Sequence, residues 1–471
     1  NNGSLDIALV DRNVKRILEM ILKTPHFKGY KFSNSPDLQA HAEVTRQSAT
    51  EGMVLLKNDN GALPLAADTK KVAVFGCTSY NFIAGGTGSG NVNRAYTVSL
   101  LDGLKNAGLT VDESLMADYL DHIKAEDERN APDPNDKLAM FMPKKLPTEL
   151  IPSAAQLAEL VAANDVAMVT IGRLSGEFLD RTVEDFDLKP EERSLIETVT
   201  KAFHAAGKKV VVALNIGGVI ETASWKNLPD AILCAWQAGQ EGGNSVADVL
   251  TGKACPSGKL PMTFPVSFAD HASSANFPTE GAVSQFGFER EEQAEKKNLW
   301  DYTRYEEDIY VGYRYFDSFA KEVSYPFGYG LSYTTFAYAN PVVKNENDRI
   351  TVEVEVENTG SYDGREVVQV YVKAPDAQAS NKPEHELRAF AKTGVLKPGE
   401  KQTVKMTFGV ADLASYNIAA VVWQVAEGEY TVEIGASSRD IRATATVAVS
   451  AKEQKCADLL APKAELNILK R

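Results

Sequence analysis

Three mostly apolar runs, residues 165–171, 209–214 and 230–236, each break into a glycine- or amide-bearing turn, and a stretch of helical periodicity separates the first two. A short, continuous apolar run bounded by turns reads as a strand buried on both faces. A helix between successive strands then acts as a crossover and leaves them parallel. The alternation predicts a mostly parallel sheet with helices on both faces, an α/β sandwich, over residues 36–270. Residues 71–76 are expected to add a strand, and residues 41–51, 100–107 and 154–164 to be helical. Leu195, Ile196, Val199 and Phe203 mark another helix, opened by Pro190 and closed by Gly207. Residues 126–152, polar and proline-bearing, read as a surface excursion. In open α/β sheets ligands gather at the carboxyl ends of the strands. Ser89, Glu177, Asn215 and Glu241 fall at such ends, so one crevice lined by all four is expected.

The turn after residues 165–171 reads GRLSGEFLDRTVEDFDL (172–188), with Glu177 in a Ser-Gly-Glu tripeptide and Asp180 and Arg181 close behind. A glutamate on a glycine-preceded loop can be pressed into a pocket, desolvated, and kept as a neutral acid near pH 6. The plain alternative is a solvated loop carboxylate, which this window does not exclude. The earlier run Gly85-Gly86-Thr87-Gly88-Ser89-Gly90 invites a nucleotide reading. The dinucleotide fingerprint needs a third glycine where Asn91 stands, and no lysine follows for a phosphate loop. What remains is a flexible loop, or one whose backbone approaches a ligand closely while Ser89 offers its hydroxyl.

With 64 acidic against 50 basic residues the formal charge is −14, which argues against nucleic acid and suits a neutral substrate. Cys77, Cys234, Cys255 and Cys456 are widely spaced, so neither a disulfide nor a metal site is expected. No apolar run reaches the roughly 20 residues of a membrane span, and the first residues lack the pattern of a signal peptide. At 471 residues the chain can bury more than one core.

Residues 1–35 read as one amphipathic helix, stopped before Pro25, and a linker. Residues 271–335 form a connector rich in tyrosine and arginine, including Arg304, Tyr305, Tyr313, Arg314 and Tyr315. These side chains could wall a sugar site, but a staple between two domains is the stronger reading. From Phe336 the period becomes two: Ile350, Val352, Val354 and Val356 alternate with polar residues. About seven short strands across residues 336–450 predict an immunoglobulin- or fibronectin type III-like β-sandwich. Residues 451–471 read as a tail.

Seven segments, LLKNDNGALPL (55–65), GGTGSGNVN (85–93), SGEFLDR (175–181), NIGGVIETASW (215–225), the 30 residues from Trp236 to Pro265, DIYVGYRYFD (308–317) and FGYGLSYTTFAY (327–338), together resemble glycoside hydrolase family 3, close to its bacterial β-glucosidases. The resemblance covers nearly the whole chain, in order. It implies an active site between a barrel and the α/β sandwich, with a fibronectin type III-like domain after it. It implies an aspartate nucleophile on the barrel, Glu177 as acid/base and Ser89 as a hydrogen-bond partner of the sugar, without a cofactor or metal. Phe178 departs from the family, where many members have glycine at this position. Residues 1–25 resemble the last helix before the sandwich, which implies a chain lacking its barrel and inactive without one on a separate or cleaved chain.

The expected partners are thus a β-glucoside or oligosaccharide and the barrel, with no nucleic acid and no membrane; a homodimer is compatible, and a periplasmic or secreted location is favoured. For Glu177 to hold a proton, Arg181 is expected to pair with Asp180 or Asp185 and leave Glu177 alone. The alternatives are a β-xylosidase or arabinosidase of the same family, or a non-catalytic carbohydrate-binding protein. An N-acetylglucosaminidase is disfavoured, because such relatives generally take their acid/base from the barrel.

Overall fold

The computed structural model describes residues 5–133, 145–177, 181–275, 305–458, 461 and 465–471. Two compact units divide the chain, Asn1–Val44 and Thr45–Arg471. In the first, α1 (Ile7–Lys23) starts at Asp6, whose side chain accepts the Ala8 N–H, and stops at Thr24, just before Pro25. Helix α2 (Leu38–Gly52) begins in this unit and ends in the second.

The second unit opens with a six-stranded sheet: β1 (Val54–Asn58), β2 (Lys71–Phe75), β3 (Thr110–Val111), β4 (Val166–Arg173), β5 (Lys209–Ile216) and β6 (Ala231–Cys234), in the order β1-β6-β5-β4-β2-β3. All neighbours are parallel except β1, which pairs antiparallel with β6 at the edge. Every residue of β4 is buried, as is all of β5 beyond Lys209, which is why both read as unbroken apolar runs. The crossovers carry α3 (Leu100–Asn106), α4 (Glu113–Arg129), α5 (Ala154–Ala163), α6 (Val183–Phe186) and α7 (Pro190–Ala205), and α8 (Gly242–Leu250) follows β6. In α7, Pro190 starts the helix, Leu195, Ile196, Val199 and Phe203 are buried, and Gly207 follows it at φ +69°.

A short pair, β7 (Phe264–Pro265) with β8 (Val323–Tyr325), and α9 (Tyr313–Ser318) precede the sandwich. Tyr310 is fully buried and donates to Asn381 Oδ1 (3.0 Å), while the Tyr313 ring stacks on Phe327 and its hydroxyl accepts the Leu387 N–H (2.7 Å). These tyrosines act as staples between connector and sandwich; Arg304 lies outside the described residues.

The sandwich is antiparallel throughout, with β9 (Phe336–Glu346), β10 (Arg349–Asn358), β11 (Val367–Lys373), β12 (Glu386–Lys392), β13 (Lys401–Gly409), β14 (Ser415–Asn417), β15 (Val422–Val425), β16 (Gly428–Ser437) and β17 (Asp440–Val449). Sheets β13-β10-β9 and β12-β11-β16-β17 enclose one core, to which β10 gives Ile350, Val352, Val354 and Val356. A third sheet, β14-β15-β18, recruits β18 (Lys452–Lys455) from the stretch that reads as a tail. The four cysteines are free.

Candidate functional site

Strands β2 and β4 are parallel neighbours, so the loops leaving their carboxyl ends meet. From β4 the backbone runs through Arg173 into Leu174, Ser175, Gly176 and Glu177; from β2 the glycine-rich loop ends in a single turn, Gly88–Gly90. The two are zipped together. The Thr87 N–H donates to Ser175 O (3.1 Å), Thr87 and Gly176 form a parallel bridge, and Thr87 Oγ1 donates to Glu177 O (3.1 Å). Ser89 then donates its N–H to Glu177 Oε2 (3.2 Å) and its hydroxyl to Oε1.

This contact accounts for the glycines. A Cβ on Gly86 would stand 2.7 Å from Ser175 O, and one on Gly88, at φ +64°, would overlap the Glu177 carboxylate. The glycine-rich loop is therefore shaped by an approaching protein loop, in line with its failure to match a phosphate-binding fingerprint.

The electrostatics differ from the sequence expectation. Glu177 is exposed, and the Ser89 hydroxyl, followed by the Ser89 amide, holds its carboxyl below the usual glutamate range; slight burial opposes this weakly. Donors aimed at a carboxylate favour its charged form, and among the described residues nothing desolvates it enough to compensate. Among the described residues, no acidic side chain contributes to the shift.

Arg181 leaves Glu177 alone, as expected: its guanidinium pairs with the Asp185 carboxylate and donates to Val219 O (2.8 Å) and Asp185 O (3.2 Å). Phe178 and Asp180 lie outside the described residues.

The crevice lined by four polar residues does not form. Asn215 is buried and works as a clip, accepting the Ile83 N–H (2.7 Å) and donating to Ile83 O (3.0 Å) and Trp236 O (2.7 Å). Glu241 is buried and accepts from Tyr96 Oη (2.5 Å) and Asn244 Nδ2 (2.7 Å). Of the four, Ser89 and Glu177 meet.

One positioning residue escapes the sequence reading. Arg173, the last residue of β4, is 1% exposed and forks onto Glu192 of α7 (2.5 and 2.7 Å). Its remaining donors go to Gly172 O (2.7 Å), Asp185 O (2.7 Å) and Asp187 O (3.0 Å). A planar five-donor fork suits this task, tying the far end of the Glu177 loop to the sheet. The available signal was an arginine closing an otherwise apolar strand.

Residues 53–333 match the family model of the glycosyl hydrolase family 3 C-terminal domain, and residues 366–438 that of the fibronectin type III-like domain. Beta-glucosidase A of Butyrivibrio fibrisolvens is 36% identical over 86% of this chain and 50% of its own length. An exo-alpha-(1->6)-L-arabinopyranosidase of Bifidobacterium breve is 33% identical over 95% of this chain and 54% of its own. Among solved structures, beta-glucosidase 3B from Thermotoga neapolitana in complex with alpha-D-glucose superposes with a TM-score of 0.82 at 44% identity, over 96% of this chain and 60% of that one. The chain thus spans about half the length of the curated relatives it matches. By model match, sequence and fold, it belongs to glycoside hydrolase family 3 and carries that family's C-terminal domain followed by a fibronectin type III-like domain.

Proposed function

We propose that this chain carries the acid/base half of a retaining, exo-acting β-glucosidase that removes terminal non-reducing β-D-glucosyl residues. Glu177 is the acid/base and Ser89 a sugar-binding residue. The observation that carries the reading is the pairing of Ser89 with the Glu177 carboxylate at adjacent strand ends, inside the segment that matches the family model. The nucleophile is an aspartate from a barrel domain outside these residues, since retaining hydrolysis needs two carboxyls about 5–5.5 Å apart.

In the first step the aspartate attacks the anomeric carbon, the glycosidic C–O bond breaks, and Glu177 gives its proton to the departing oxygen. In the second, Glu177 takes a proton from water, whose oxygen displaces the aspartate and releases the sugar with net retention. The lowered pKa of Glu177 suits the second step; the first requires that the proton be held. Sugar and barrel covering the loop, with the Ser89 hydroxyl turned onto the sugar, would remove the donor that favours charge and dehydrate the carboxyl.

The test is hydrolysis of aryl and alkyl β-glucosides by the chain alone and joined to a family barrel. Turnover is expected with the barrel and not without it; turnover from the chain alone would place the nucleophile within these residues. In the active form, Glu177→Ala should slow poor leaving groups by about 10²–10⁴-fold and activated aryl glucosides far less. Equal losses on both would remove Glu177 from the acid role. A second reading, an arabinopyranosidase, is favoured by the relatives from Bifidobacterium, and an aryl α-L-arabinopyranoside in the same assay separates the two.

A further inference from the structure

A cavity of about 1750 Å³ opens on the β-sandwich, between the sheet β14-β15-β18 and residues 465–470, and neither Ser89 nor Glu177 lines it. Small-ligand pockets run to about 300–1,000 Å³, so this one has room for an extended molecule. Tyr416 and Trp423 face each other across β14 and β15 in direct register, with ring centroids 5.4 Å apart and planes tilted by 58°. Both are left open, 38% and 47% exposed. A lone exposed aromatic needs no explanation, but a cross-strand pair in a concave site offers two adjacent apolar ring surfaces set at an angle.

Polar groups with unused capacity lie on the same lining. Arg388 Nε is buried without a hydrogen-bond partner among the described residues, although Nη2 of the same guanidinium is bonded to Glu386. Lys382, 5% exposed, donates to Leu413 O (3.2 Å), and no second acceptor for its ammonium is found among the described residues. A guanidinium carries five N–H donors and an ammonium three, so both side chains keep further donors for a ligand oxygen.

Acidic and basic side chains are nearly balanced around the cavity, so it offers little net field to an anion. An apolar peptide would cover the aromatic pair but bring only its backbone groups to the polar lining. A pyranose matches both halves: one face of C–H bonds packs on an aromatic ring while its hydroxyls, which donate and accept, reach the polar lining.

We propose that this cavity is an accessory site for a neutral oligosaccharide chain, with Tyr416 and Trp423 as the stacking platform and Arg388 and Lys382 as hydroxyl partners. The site stands or falls independently of the Ser89–Glu177 reading, because it shares no residue with it.

The experiment is affinity electrophoresis of the full 471-residue protein through native gels containing soluble, uncharged β-glucan, with a Trp fluorescence titration by cellohexaose alongside. Retardation is expected for the native protein. Trp423→Ala should weaken binding about tenfold with an unchanged unfolding temperature, while Trp423→Phe, which keeps a ring, should stay within about threefold. No retardation of the native protein, or retardation only by an anionic polysaccharide, would overturn the proposal. So would retardation that survives Trp423→Ala and disappears with Ser89→Ala, which would assign the binding to the other site.

Discussion

At Glu177 one neighbour sets the charge state. Both donors of Ser89 point at the carboxylate, through the loop zipped to it by Thr87, and they hold its pKa down. Ser89→Ala removes the hydroxyl, the larger cause, so the pKa of Glu177 should rise towards the ordinary glutamate value. A carboxyl-carbon NMR titration of the native protein and the variant reads this directly; coincident curves would show that Ser89 does not poise Glu177. The identity of both residues was legible in the sequence, but the sense of the shift was not. A loop glutamate is desolvated or solvated according to what covers it, and local sequence carries no record of the cover. Arg173 makes the same point from the other side. Its arginine is plain in the sequence, yet its partners, Glu192 and the carbonyls of Asp185 and Asp187, are gathered by the turn of the chain into α7.

Among the elements, those with a single strong period or an unbroken apolar run between turns were readable, and α4 and α8 were not. β10 alternates because one face is core and the other is not, and α7 shows its stripe between a proline start and a glycine stop. Helix α4 buries Leu115, Tyr119, Ile123 and Glu126 in an otherwise polar sequence, so its stripe was too narrow to stand out. In α8 every residue is buried, which abolishes the polar face that a periodicity argument needs. The junction of α9 with the sandwich carries a pH dependence of its own. His385 is nearly buried between Glu433 (2.6 Å) and Asp317 (3.3 Å), and Asp317 also holds Arg439 (2.6 Å). Burial alone would lower the imidazole pKa, but the hydrogen bonds to Asp317 and Glu433 outweigh it and raise it to about 9. A pKa raised in the folded state means stability fully present below about pH 6.5, the unfolded value, and lost as pH rises through about 9. The loss should be about 3 kcal/mol, read as a fall in Tm between pH 6 and 10 that His385→Gln removes. A variant with the same pH slope would show that the histidine is not its source.

Over the whole molecule, residues Thr45–Arg471 form one compact unit although they hold two cores of different class. Lys259 pairs with Glu366 (3.1 Å), and Glu51 reaches Arg365 (3.5 Å) and Lys392 (3.3 Å), all across the α/β-to-sandwich boundary, while the Leu331 N–H of the connector bonds Leu55 O (2.8 Å). The two should therefore unfold together; calorimetry showing two separated transitions within this unit would contradict that coupling.

By itself the sequence determined what depends on near neighbours: which runs are strands, where proline and glycine start and stop helices, and the change of period at Phe336 that separates an α/β layer from a β-sandwich. Its ordered motifs were enough to indicate the family. Only the tertiary structure decided which distant groups meet. Ser89 and Glu177 lie 88 positions apart and touch because β2 and β4 are neighbours; Asn215 turns inward as a clip, and part of the apparent tail becomes β18. Periodicity is a local property of the backbone, whereas burial, pairing and charge state are set by whichever surface the fold brings alongside.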